Sequence, residues 1–158
     1  MKFDIARQPL VPAFLTLAAL AYAAMRGAAE YGREALPLLG GQLARFQAAY
    51  PVWSKFAAGF MLLFAGMCTG RISIRYNLYT VGTCLPIPLY AIVACGIATG
   101  GNYLAGFAAS MLLALATKNY CRAFCNGYGF DAIFRASLYL GLMPLIYAPA
   151  LPLLLLLP

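Results

Sequence analysis

Long apolar runs separated by shorter polar stretches dominate the hydropathy pattern of this chain. A helix needs roughly 20 apolar residues to cross a bilayer, and helices are the default in lipid because they pair their own backbone polar groups. The short apolar/polar alternation of barrel strands is absent from the sequence. The pattern predicts an all-α integral membrane protein, with residues 1–158 forming one membrane domain, a bundle of about five transmembrane helices. The predicted spans cover about residues 9–25, 56–70, 78–98, 102–117 and 136–157.

The longest polar connection, residues 26–55, contains a helical pattern of its own. Four apolar residues recur there at helical spacing: Leu39, Leu43, Phe46 and Tyr50. Polar residues lie at other positions of the helical wheel. The pattern predicts a short amphipathic helix over about 38–50, lying in the membrane interface. Tyr50 and Trp53 suit that depth because their rings are apolar and their tips polar. An ordinary surface loop is the alternative interpretation.

The composition supports the same class of protein. Hydrophobic residues make up 64% of the chain and charged residues 9%, whereas soluble domains carry about 25% charged residues. Mean hydropathy is +0.81. The chain has no histidine, which removes Ser-His-Asp and Cys-His catalysis and His-ligated metals. We therefore expect no metal site and no cofactor.

The net charge of +7, from eleven Lys and Arg against four Asp and Glu, is spread between the apolar runs. Such scatter is typical of membrane topology signals rather than of nucleic-acid binding. An N-terminus in the cytoplasm leaves four cations outside: Arg26, Arg33, Arg45 and Lys55. It places seven inside: Lys2, Arg7, Arg71, Arg75, Lys118, Arg122 and Arg135. The bias predicts a multi-pass protein with the N-terminus inside and, for five spans, the C-terminus outside.

Two cation pairs stand at the ends of predicted spans. Arg71 and Arg75 are four residues apart, as are Lys118 and Arg122, so each pair shares one face of a helix. Guanidinium groups match phosphate oxygens in bidentate geometry, and Asn77 follows as a further hydrogen-bonding group. We expect these five residues to form a basic cytoplasmic rim that contacts an anionic lipid or phosphate. The alternative is that the cations only set topology.

Prolines and glycines mark places where the predicted helices bend or pack. Pro86 and Pro88 lack backbone N–H groups, so they predict a break in the third span. Such breaks line binding cavities in some transporters, although proline is also common in membrane helices. Two GxxxG pairs predict close helix packing. They are Gly66 with Gly70, and Gly96 with Gly100.

Asp131 stands apart as the acid nearest to the inside cations. It lies four residues before Arg135, which predicts a local ion pair on one helix. A catalytic carboxylate is the alternative, but a glycosidase-like or metal-assisted site needs a second acid or a metal. No such partner is visible in the sequence, so we assign no catalytic residue, and whether the chain is an enzyme stays open.

The stretches RISIRYNLYTVGTCLPIPLY and GFDAIFRASLYLGLMPLIYAPAL carry a resemblance. They resemble an uncharacterised family of polytopic inner-membrane proteins of Bacteroidota, in which an Arg/Asn turn precedes a Pro-containing helix and an FDA stretch leads into a further helix. The likeness covers about residues 55–155. The matching positions are Arg75, Asn77, Pro86, Phe130, Asp131, Ala132 and the run 145–151. The resemblance implies a bacterial inner membrane and no established activity.

These observations predict a non-enzymatic or accessory inner-membrane protein whose basic cytoplasmic rim contacts anionic membrane lipids. The alternative is an enzyme or transporter component that handles polyprenyl-phosphate-linked glycans, since the resembling family is distantly similar to polysaccharide polymerases. The apolar ending LPLLLLLP carries no polar anchor. We therefore expect a missing C-terminal part or a further membrane subunit as a partner.

Overall fold

The computed structural model describes residues 38–76, 89–90, 103–126 and 129–157. These residues form four α-helices and one 3₁₀ helix, and the described ranges contain no strand. The elements are α1 (Leu38–Ala49), α2 (Pro51–Arg75), α3 (Tyr103–Asn126), α4 (Gly129–Ile146) and the 3₁₀ helix Ala148–Leu156. The all-α prediction is confirmed for this part of the chain.

Two helices are long and apolar enough to cross a membrane, Pro51–Ile72 within α2 and Gly129–Ile146. Within the most apolar 18 residues of each helix, 33% of the first and 22% of the second are buried. The predicted span 56–70 lies inside α2. The predicted span 102–117 falls in α3, which is not one of the two. The predicted spans 9–25 and 78–98 lie outside the described residues, apart from Leu89 and Tyr90.

Helices α2 and α3 pack side by side and run parallel. Near their amino ends, Ala58 and Leu62 pack with Leu104 and Phe107. Further along both helices, a second cluster is formed by Ala65, Cys68 and Ala114. Residue numbers therefore increase in the same direction along both helices. We call this α2–α3 interface the seam. Small side chains at these positions let the two backbones approach closely.

Helices α3 and α4 form an antiparallel hairpin around the largest core cluster. The cluster contains Ala109, Leu112, Ala116, Leu140, Met143 and Ala150. Only residues 127–128 separate the two helices, so the amino end of α4 lies at the carboxyl end of α3. Asp131 in the first turn of α4 is favourable there, because a helix amino terminus carries partial positive charge.

The predicted fifth span, 136–157, is not one helix. The α-helix begins earlier, at Gly129, and ends at Ile146, and the extended backbone of Tyr147 precedes the 3₁₀ helix. Pro149 and Pro152 have no N–H to donate and cannot continue the α-helical ladder. The chain then turns back along α3: Ala150 packs in the α3–α4 core, and the Tyr120 hydroxyl donates to the Leu156 carbonyl at 3.1 Å.

A helix is present where the amphipathic one was predicted, and α1 contacts α2, α3 and α4. It therefore lies across one end of the three longer helices. Its buried residues are Gly40, Ala44 and Gln47. Of the predicted apolar stripe, Leu39, Phe46 and Tyr50 are exposed, whereas Leu43 is partly buried against the α2–α3 core. Placement in a membrane interface stays a prediction.

Candidate functional site

The four predicted cations lie together at the carboxyl ends of α2 and α3. Because the helices are parallel, their carboxyl ends lie at the same end of the bundle. Arg71 and Arg75 are near the end of α2, and Lys118 and Arg122 are towards the end of α3. Residues that contact each other across the seam differ in residue number by similar amounts. Ser54 contacts Tyr103, and Cys68 clusters with Ala114. Continuing this alignment places all four cations at the same end of the two helices.

Lys118 and Arg122 lie on the seam side of α3, whereas Arg71 lies on the exposed side of α2, four residues after Met67. Lys118 and Arg122 continue the α3 stripe that starts at Leu104 and Phe107, at i, i+3 and i+4 spacing. On α2, Arg71 follows Cys68 by three residues, almost one turn. Cys68 itself is buried in the seam, where it clusters with Ala65 and Ala114.

No acidic side chain among the described residues neutralises these four cations. Asp131 is the one described acid, and it pairs with Arg135. The Asp131 carboxylate accepts bonds from Arg135 Nη2 at 3.0 Å and from Arg135 Nε at 3.1 Å. This is the local i, i+4 ion pair predicted from sequence, and both side chains are more than half exposed. Within the described ranges, these four cations therefore have no acidic side chain as a partner.

The carboxyl end of a helix is itself a favourable place for cations, because unpaired carbonyls give it partial negative charge. That effect acts only within the last turn of the helix. It does not remove the positive charge that the side chains carry. Asn119, next to Lys118, is engaged with its own helix, since its amide donates to the Leu115 carbonyl at 2.9 Å. Asn77, the fifth predicted site residue, lies outside the described residues.

The opposite end of the bundle is held by buried polar contacts. Ser54 is fully buried, and its hydroxyl donates to the Pro51 carbonyl at 2.8 Å. The Ser54 hydroxyl has one proton, and the bond to Pro51 uses it. The Tyr103 hydroxyl therefore donates to Ser54 Oγ at 2.6 Å. Gln47 Oε1 accepts the Leu104 N–H at 3.4 Å, which satisfies a donor in the first turn of α3.

Exposed aromatic rings surround this polar end. Phe46, Tyr50, Trp53 and Phe56, together with Ala57, line an open groove at the junction of α1 and α2. Trp53 is 69% exposed and Phe56 is 70% exposed. Sequence reasoning placed Tyr50 and Trp53 at an interface but missed Phe56 as a member of the same surface. Its spacing of three from Trp53 was the available signal.

The remaining predicted positions have mixed outcomes. Gly66 and Gly70 are both buried in α2, and their role in helix packing stays a prediction. Gly96, Gly100, Pro86 and Pro88 lie outside the described residues. The described part of the chain contains no group of three or more His, Cys, Asp or Glu side chains that could hold a metal ion.

Comparison of the chain with protein-family models, with curated proteins and with solved structures finds no match. The resemblance drawn from the sequence therefore stays an expectation.

Proposed function

We propose that the chain is a multi-pass protein of a bacterial inner membrane, with a non-enzymatic or accessory role, whose basic end binds anionic lipid headgroups on the cytoplasmic side. The observation that carries the proposal is the parallel packing of α2 and α3, which collects Arg71, Arg75, Lys118 and Arg122 at one end. Without that packing, two cation pairs on separate helices would be no more than two topology signals.

The spacing along α2 supports a membrane-spanning orientation. Trp53 and Arg71 are 18 positions apart, which is about 27 Å at the rise of an α-helix. A bilayer hydrocarbon core is about 30 Å thick. Aromatic rings at one end and guanidinium groups at the other suit the two headgroup regions.

The surface between these two ends also supports the proposal. Phe56, Phe60 and Met67 are exposed along one side of α2. Leu138, Leu142 and Leu145 are exposed along α4. Continuous apolar stripes of this kind are rare on soluble monomers, whereas hydrocarbon chains cover them without cost.

Lipid retention tests the proposed function. We expect the full chain, purified in mild detergent, to retain phosphatidylglycerol over phosphatidylethanolamine in native mass spectrometry. Replacing all four cations by glutamine should lower that retention at least tenfold, because the charge-assisted phosphate contacts are lost. The outcome that contradicts the proposal is equal retention of both lipids by the unchanged chain.

A matched control comes from the other end of the bundle. The double substitution Arg45→Gln with Lys55→Gln removes two charges far from the proposed site, and it should leave phosphatidylglycerol retention within about twofold of the unchanged chain. The double substitution Arg71→Gln with Lys118→Gln also removes two charges and should lower retention. Equal losses in the two variants would mean that net charge alone holds the lipid.

The turn at Tyr147 yields a topology prediction. Because the Leu156 carbonyl lies at the Tyr120 hydroxyl, residue 157 should be on the same side of the membrane as the basic end, contrary to the C-outside orientation expected for five spans. In a background with the five native cysteines replaced by serine, Leu157→Cys and Phe124→Cys should react with a membrane-impermeant maleimide from the same side. Labelling of the two positions from opposite sides would contradict the return of the chain.

A further inference from the structure

The exposed side of α2 carries one continuous line of side chains, which we call the α2 stripe. Its members are Trp53, Phe56, Phe60, Met67 and Arg71, separated by helical spacings of three, four and seven positions. The four apolar members are each more than half exposed, and Arg71 is exposed as well. The α2 stripe therefore presents an apolar track that ends in a cation.

The charged end of the α2 stripe has a second guanidinium group beside the first. Arg75 follows Arg71 by four residues and is also exposed, and that spacing keeps it within about 40° of the same line on the helical wheel. Asp131, the one acid among the described residues, is paired with Arg135 on α4. Within the described ranges, Arg71 and Arg75 therefore have no acidic partner, and a phosphate group suits two neighbouring guanidinium groups.

The length of the apolar track fits one leaflet of a bilayer. Phe60 and Arg71 are 11 positions apart, and that separation is about 16 Å along an α-helix. One leaflet contributes half of a hydrocarbon core that is about 30 Å thick. At the end of the track remote from Arg71, the Phe60 and Phe64 rings stack with their centroids 6.3 Å apart. A hydrocarbon chain that extends from a phosphate at Arg71 would reach these rings near the bilayer midplane.

We infer that the α2 stripe binds one anionic phospholipid, with its phosphate at Arg71 and Arg75 and an acyl chain along the side chains from Met67 to Phe60. This inference rests on the proposed function, because it assigns a bound lipid to one side of one helix at the basic end. Charge complementarity selects this occupant. A second copy of the chain would bring further cations to the stripe, and its described residues offer no unpaired acid to meet them.

Fluorescence quenching in nanodiscs that contain the full chain tests this position of the lipid. Trp53 is the single tryptophan, so Trp53→Phe with Phe60→Trp moves the only indole to the end of the proposed acyl-chain track. Every nanodisc contains equal amounts of phosphatidylglycerol and phosphatidylethanolamine, and only one of the two carries bromine, towards the methyl end of its acyl chains. We expect brominated phosphatidylglycerol to quench this reporter about threefold more strongly than brominated phosphatidylethanolamine, because the arginines attract the anionic lipid. Trp53→Phe with Met67→Trp is a second reporter, used with bromine nearer to the headgroup.

Leu138 on α4 provides a matched control position. It is 50% exposed and lies three residues after Arg135, which is paired with Asp131. Trp53→Phe with Leu138→Trp should therefore be quenched equally by the two brominated lipids.

Variants of equal charge separate this site from net charge. In the Phe60→Trp reporter, Arg71→Gln with Arg75→Gln should remove the preference for phosphatidylglycerol. Arg45→Gln with Lys55→Gln removes the same charge at the opposite end of the bundle and should leave the preference unchanged.

The outcomes distinguish this inference from the proposed function. Equal quenching of the Phe60→Trp reporter by the two lipids overturns the inference, and so does the same preference at Leu138, which would mean general enrichment around the chain. Loss of the preference in both double variants also overturns it, because net charge alone would then attract the lipid. Quenching by neither lipid overturns it as well and would mean that protein, such as a second copy, covers the α2 stripe. The proposed function stands in each case if native mass spectrometry shows retained phosphatidylglycerol, whereas loss of both signals overturns the two together.

Discussion

Replacing Phe60 by lysine should prevent stable membrane insertion of α2. Phe60 lies near the middle of the candidate span Pro51–Ile72 and is 68% exposed. In the proposed membrane-spanning orientation that exposed side faces hydrocarbon, where a lysine at the helix centre costs about 3 kcal/mol, on the order of 100-fold in the inserted fraction. The measurement is the fraction of chain that resists alkaline carbonate extraction from membranes of expressing cells.

Phe124→Lys is the matched control for this prediction. Phe124 is 87% exposed and lies close to the carboxyl end of α3, two residues after Arg122. At headgroup depth a lysine is tolerated, so this variant should stay in the membrane like the unchanged chain. A Phe60→Lys chain that inserts normally would contradict the proposed membrane-spanning role of α2, as would an unchanged chain that folds as a soluble monomer.

Leu140→Ala should produce the second large effect, on stability rather than insertion. Leu140 is 1% exposed and lies at the centre of the α3–α4 core. Truncating a fully buried leucine removes packing and leaves a cavity, which costs about 2–5 kcal/mol. The free energy of unfolding, measured by titrating the micelle-bound protein with denaturing detergent, should fall by that amount.

Leu138→Ala makes the same chemical change two positions away, where the side chain is 50% exposed. Little packing is lost there, so we expect a change below about 1 kcal/mol. Comparable losses in the two variants would contradict the α3–α4 packing described above. The comparison therefore tests the hairpin without depending on the function of the basic end.

Hydropathy and spacing were sufficient to predict several local features. The all-helical class followed from apolar runs without strand alternation, and the i, i+4 spacing of Asp131 and Arg135 predicted the observed ion pair. The stretch 38–50 was correctly identified as helical. These features depend on neighbours within one or two turns, which is the range over which sequence patterns carry information.

Helix ends and faces were harder to predict. The apolar run 136–157 gave no sign of where α4 stops, although its prolines indicated a bend. The direction of the chain after Tyr147 depends on Ala150 packing against the α3–α4 core. In the same way, the apolar stripe of α1 was predicted to face a membrane interface and did not indicate which side packs on the other helices. Gly40, Ala44 and Gln47 are the buried residues of α1.

The sequence by itself determined that Arg71 and Arg75 share a helix face, and that Lys118 and Arg122 share another. Only the tertiary structure decided that the two pairs lie at the same end of two parallel helices. A helical repeat fixes which residues face a neighbour, but not which neighbour or at what height. That register is set by distant contacts, Ser54 with Tyr103 at one end and Cys68 with Ala114 further along, because packing of small residues selects one alignment of the two helices.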